Sequence, residues 1–231
     1  MKIASTLGRG IITLAWLGLA ACATSAPEPA PDLDKLTAGV FVETGREALP
    51  QGYTPRPLFD RGLALTKASE GFVPRLYNDA AGFCTVAYGH LIKKTRCDGS
   101  EPAEFVPKVS EAQGGALLVT DLANAQYAVE TKVRNAGQLT DGQYAALVDF
   151  AFNVGGSAMG RSTLLRLVNA RRYDQVPAEW RKWVGANGKV YPGLVTRRER
   201  EIALFIEGLP ASRAAPSEDE SSQVIDIRVG G

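Results

Sequence analysis

The twenty-one residues EGFVPRLYNDAAGFCTVAYGH, from Glu70 to His90, constrain the fold of this chain more than any other stretch. Glycines at 71, 82 and 89 and a proline at 74 break any helix across it, and the aromatic and β-branched residues between them favour extended backbone. Pro74–Ile92 therefore reads as a short antiparallel sheet or hairpin. Immediately before it, Leu58–Glu70 reads as a helix that Gly71 stops.

Beyond it the apolar period becomes helical. Ser110-x-x-Gln113 matches a capping box and opens a helix with apolar positions at Leu118, Leu122, Ala125, Val129 and Val133. Thr140-x-x-Gln143 opens another, in which Tyr144, Leu147, Val148, Ala151 and Phe152 form one broad face, as a core helix requires. Segments Ser162–Ala170, Val176–Trp183 and Gly193–Glu207 complete a bundle. The expected class is α+β: a small antiparallel sheet lobe, a larger helical lobe, and a cleft between them.

The chain has 231 residues and a formal net charge of +1, which suits one domain of about 150 residues with appendages and gives no sign of a nucleic-acid partner. Charge is uneven, however. Between Gly160 and Arg200, ten Lys/Arg face only Asp174, Glu179 and Glu199. That excess fits either a basic lobe for an anionic polymer or ordinary solvated helix faces with ion pairs.

At the N-terminus, Lys2 and Arg9 flank the apolar run GIITLAWLGLAA, too short to span a bilayer comfortably and suited to a signal-peptide core over residues 1–21. Leu19-Ala20-Ala21-Cys22 resembles the lipobox of bacterial lipoproteins, which implies lipidation of Cys22 and a membrane partner reached through the lipid. Ala23 after it resembles outer-membrane sorting, so the expected place is the periplasmic face of that membrane. Two alternatives stay open: cleavage as a soluble secreted or periplasmic product, and a signal anchor that later leaves the membrane. Residues 22–57 follow as a tether, with prolines at 27, 29, 31, 50, 55 and 57 and no core of their own. The domain then spans 58–209. Residues 210–231 read as a disordered tail, although QVIDIRV at 223–229 alternates like a short strand.

Export leaves Cys84 and Cys97 as an even pair in an oxidising compartment. They suggest a disulfide closing a short loop, with two free thiols as the alternative. Two cysteines and the single histidine, His90, lack metal-ligand spacing, so no metal and no cofactor are expected. His90 suits a structural hydrogen bond or ion pair better than catalysis. Trp180, Trp183 and Tyr191 suit core packing better than sugar stacking.

Glu70, Asp79 and Thr85 carry the chemistry. Glycoside hydrolysis needs a proton donor for the leaving oxygen and a second group that activates or replaces water. Glu70 lies at a helix end beside Phe72 and Tyr77, where burial would keep a carboxyl protonated. Asp79 precedes Ala80-Ala81-Gly82 and also suits a turn-forming role.

The pattern E-G-F…Y-N-D…G-F-C-T-V-A-Y-G-H-L resembles the active-site segment of phage-type lysozymes, the endolysin muramidases of glycoside hydrolase family 24. Ala146–Trp183 and GLVTRRERE at Gly193–Glu201 resemble further blocks of that family. The resemblance implies a lysozyme-like fold acting as a monomer on peptidoglycan glycan strands. It makes Glu70 the proton donor and Asp79 with Thr85 the pair that positions and activates water, with inversion. It further implies that Leu91 and Phe152 line the sugar cleft and that Arg197 lies near the catalytic acid. An ion pair there would lower the pKa of Glu70, against what a general acid needs. The chain departs from the family at Ala87-Tyr88-Gly89-His90, where many members begin with glycine, and in an unmatched insert at Lys93–Pro107. A lytic transglycosylase and a catalytically idle wall-binding lipoprotein are the competing functions.

Overall fold

The computed structural model describes residues 48–209 apart from Asn187. Cys22 and the 223–229 segment lie outside the described residues. Helix α1 (Asp60–Glu70) ends as expected, with Gly71 at φ 71°, where its N–H still bonds Lys67 O before the chain turns into strand. Strands β1 (Val73–Asn78), β2 (Cys84–Ala87) and β3 (His90–Lys93) form an antiparallel sheet in that order. Its register sets Tyr77 opposite Thr85 and Thr85 opposite Leu91.

Both anticipated capping boxes form. Ser110 caps α2 (Glu111–Lys132) and Thr140 caps α3 (Asp141–Val154), each with a reciprocal bond from the glutamine three residues on. Helix α3 is buried on nearly every face and packs against α1, α2, α4 (Gly156–Arg161) and α7 (Pro192–Ile206). A methyl at Gly62 would lie 2.5 Å from Ala145 Cβ, so glycine is what lets α1 cross α3 so closely.

Several elements differ from the sequence reading. The 162–170 helix is α5 (Thr163–Asn169), capped by Ser162, and α4 precedes it as a separate turn. Helix α6 (Val176–Arg181) is followed by a hairpin, β4 (Gly185–Ala186) and β5 (Lys189–Val190), too short to leave a pattern. Trp180 and Trp183 are core residues, both meeting Phe150 edge-on with centroids 5.5 and 5.2 Å away.

The end of the 22–57 tether is part of the domain. Tyr53 Oη donates to Glu130 Oε2 (2.9 Å), Arg56 N donates to Glu130 Oε1 (3.0 Å), and Gln126 Nε2 donates to Arg56 O (2.7 Å). The Arg56 guanidinium lies 4.7 Å from the Tyr144 ring centroid. These contacts strap residues 53–56 across α2 and α3, so the folded unit begins before Leu58.

The basic excess at 160–200 is smaller at the surface than in sequence. Arg197 and Arg198 are buried, Arg181 pairs with Glu199, and Lys182 pairs with Glu179. Only Arg161, Arg166, Arg171, Arg172, Lys189 and Arg200 remain as exposed cations outside these ion pairs. Among the described residues no helix is long and apolar enough to cross a membrane.

Candidate active site

The sheet and α1 bring the sequence-chosen residues to one region. Glu70 is the last residue of α1 and 3% exposed. Asp79 directly follows β1 and heads a tight turn: its Oδ1 accepts the Ala81 and Phe83 N–H groups (2.9 and 2.8 Å), and its own N–H bonds Phe83 O. That is an Asx turn, closed by Gly82 at φ 82°. Oδ2 takes no hydrogen bond among the described residues, and Asp79 stays partly exposed. Thr85 is buried on β2 and donates to Phe83 O (3.1 Å).

Tyr77 lies on β1 opposite Thr85. Its hydroxyl is buried without a hydrogen-bond partner among the described residues, and burial, then Glu70, then Asp79 push its pKa up. Leu91, half-buried on β3, is the cross-strand neighbour of Thr85, and Phe152 is half-buried near the end of α3.

Arg197, on α7, reaches Glu70 Oε1 with Nη1 at 2.7 Å. That guanidinium holds more than Glu70. Its Nε and Nη2 donate to the two carboxylate oxygens of Asp149 on α3, both at 2.9 Å, and Glu201 Oε1 lies 3.5 Å from Nε. Arg198 Nη2 donates to Glu201 Oε1 and Asn153 Oδ1, each at 2.8 Å, and its guanidinium lies over the Phe150 ring. Glu201 also hydrogen-bonds Asp149, and so does Thr66 from α1. All these charged groups are buried.

The feared conflict at Glu70 resolves on magnitude. Burial raises its pKa and outweighs the opposing Arg197, while Asp149 adds to the rise. For Asp149, burial also pushes upward, but Arg197 and the hydrogen bonds from Glu201, Arg197 and Thr66 hold it below the ordinary aspartate value. Burial drives Glu201 well above the ordinary glutamate value, against the pull of Arg198. A charged residue in the apolar run ALVDFAFNV was the available signal for Asp149. Its partner 48 positions away was not readable.

His90 Nδ1 lies 2.8 Å from Asp121 Oδ2 on α2, a link between sheet and helix. Cys84 and Cys97 are disulfide-bonded beside Thr85. With Glu101 they form the one His/Cys/Asp/Glu group close enough to suggest a metal among the described residues, and both sulfurs are already committed. The insert is folded around that bond. Asn78 Oδ1 accepts the Cys97 N–H (2.8 Å), Glu101 accepts the Asp98 and Gly99 N–H groups, and Lys93 Nζ pairs with Glu101 (2.7 Å). The departure at Ala87 also has a structural meaning. Ala87 sits at φ 58°, a conformation that favours glycine, and its methyl packs where Gly114 of α2 leaves room.

Comparison with known proteins agrees with this geometry. The phage lysozyme family matches residues 67–201. The chain is 35% identical over 151 residues to an endolysin of Bacillus phage B103, covering 64% of this chain and 53% of that protein. It thus spans about half the length of that relative. It is 36% identical over 129 residues to a SAR-endolysin of Escherichia phage Mu, covering 56% and 69%. Among solved structures, the muramidase domain of SpmX from Asticaccaulis excentricus matches with a TM-score of 0.56 and 32% identity, over 65% of this chain and 98% of that one. The match takes in Glu70, the sheet, the core helix and Arg197 alike: this chain belongs to the phage lysozyme family.

Proposed function

We propose that this protein is a peptidoglycan hydrolase that cleaves the β-1,4 bond between N-acetylmuramic acid and N-acetylglucosamine. Glu70 gives its proton to the glycosidic oxygen as the C1–O bond breaks. A water held by Asp79 and Thr85 adds to C1 from the opposite face, and its proton passes to Asp79. Inversion follows from water, rather than a carboxylate, being the nucleophile. Leu91 and Phe152 supply apolar surface to the sugar faces. No metal or cofactor takes part in these steps.

One observation carries the reading: Glu70 is buried at the end of α1, where burial raises its pKa, while Asp79 stays partly exposed at the end of β1, the strand that follows. The two carboxyl groups thereby have the opposite environments that acid and base roles need. The Asx turn supports the second role, because it fixes one Asp79 oxygen and leaves the other for water. Kinship with an endolysin of Bacillus phage B103 and with the SpmX muramidase domain supports the substrate class.

The test is digestion of purified peptidoglycan by the full chain, with mass spectrometry of the released muropeptides. Reducing muramic acid ends are expected, as the α anomer when sampled early. Anhydro ends would make the protein a lytic transglycosylase, and no release from any wall preparation would make it a wall-binding protein. We also propose export with lipidation at Cys22, supported by the Leu19-Ala20-Ala21-Cys22 pattern and by kinship with a SAR-endolysin. Cys22→Ser should then shift the chain from the membrane fraction to the soluble one. An unchanged distribution would refute the anchor.

A further inference from the structure

The mechanism requires Glu70 to keep a proton while an arginine lies 2.7 Å away. An exclusive ion pair of that length would favour the carboxylate and disarm the acid. The geometry shows that Arg197 is not exclusive. It gives one N–H to Glu70, but two to the carboxylate oxygens of Asp149 in the planar fork that carboxylates bind best, and a third, at 3.3 Å, to Asp149 O. Its plane is therefore set by α3, and Glu70 receives one Nη1 donor.

We propose that Asp149 is a positioning residue that claims the Arg197 charge, so that Arg197 orients Glu70 by a single hydrogen bond without taking its proton away. This deepens the hydrolase reading and rests on it. Other charged and polar groups surround the pair on every side. Glu201 and Arg198 come from α7, Asn153 from α3, Thr66 from α1, and Tyr77 and Asp79 from the sheet side. Their arrangement serves the same end. Glu201, paired to Arg198, hydrogen-bonds Asp149, and Thr66 adds another bond, so the negative charge is fixed on Asp149 rather than on Glu70. Of Glu70, Arg197 and Asp149, the arginine and the aspartate match each other's charge, which leaves Glu70 free to hold its proton. The opposite directions of the two carboxyl shifts, Glu70 upward and Asp149 downward, agree with this division.

Asp149→Asn tests it. The amide keeps the side-chain shape and an oxygen for Arg197 but removes the charge, leaving Glu70 to balance the arginine. The alkaline limb of kcat/KM, which reports the free acid, should move to lower pH by about one unit or more, a tenfold loss per unit above it. Activity on the acid side of the limb should change far less. A purely structural role for Asp149 would scale activity equally at all pH values and leave the limb in place, and that result would overturn the proposal. A second measurement needs neither the variant nor catalysis: carbon NMR titration of the side-chain carboxyls in the full wild-type chain. Asp149 should ionise before Glu70. The reverse order would overturn the proposal even if Asp149→Asn fails to fold. Absence of glycan cleavage with the expected order would instead refute the hydrolase reading alone.

Discussion

Two ionic clusters in this molecule use the same kinds of side chain and reach opposite outcomes. Around Arg197 and Arg198, burial leads: Glu70 and Glu201 are driven up despite adjacent guanidinium groups, and only Asp149, with the most hydrogen bonds, is held down. Around Lys93, in the insert, hydrogen bonding leads. The lysine, then Ser100, hold Asp98 well below the carboxylate range, and the lysine with nearby backbone N–H groups brings Glu101 down to about 2. In the second cluster Asp98 is exposed and Lys93 reaches solvent, while the buried Glu101 has its charge matched by Lys93 and two backbone N–H groups. The first is closed off by α1, α3 and α7, where each charge must be matched by a partner or neutralised by a proton. Burial therefore favours the protonated carboxyl in the first cluster, which contains Glu70.

The difference is open to attack by substitution. Arg197→Met should have the largest effect on stability, because it leaves the ionised Asp149 buried without the cation that forks onto it. A loss of about 3–5 kcal/mol in denaturant unfolding is expected near neutral pH. The loss should shrink in acid, where Asp149 takes up a proton. A pH-independent loss would mean that packing, not charge, is what Arg197 supplies.

Cys97→Ser comes next. The disulfide closes a loop with a sequence separation of 13, worth about 3 kcal/mol by chain entropy. Lys93→Met, in the cluster the same loop carries, should cost clearly less than either change and respond to salt, as surface ion pairs do. Thermal unfolding of both variants at low and high salt checks the ranking. If Lys93→Met matched Cys97→Ser, the surface cluster would be a structural anchor in its own right.

Much of the fold was legible because its signals are local. Ser110 with Gln113 and Thr140 with Gln143 are three residues apart, and both boxes form. Gly71 stops α1 by a conformation it alone takes cheaply. The α+β class followed from placing one helix-breaking stretch among helical periods. The short hairpin at 185–190 and the strap at 53–56 were not legible, since two-residue strands and a docked extended segment leave no period. The site divides in the same way. Glu70, Asp79 and Thr85 lie within one segment, so their order could be matched to a family. The Asp149–Arg197 fork joins α3 to α7 across 48 positions, and only the packed helices reveal it.

The central claim is that the buried Glu70 carboxyl supplies the proton that breaks the glycosidic bond. Glu70→Gln keeps the shape and removes that proton. Because the Glu70 pKa is raised in the folded state, its contribution to stability is present at low pH and lost as pH rises through the folded value. The variant should therefore be as stable as the wild type or more so near neutral pH, with a margin that grows from acid upward. The decisive measurement is muropeptide release from purified peptidoglycan by folded Glu70→Gln beside wild type. Release should fall about a hundredfold or more with the fold intact, whereas release at the wild-type rate would mean that Glu70 is not the proton donor.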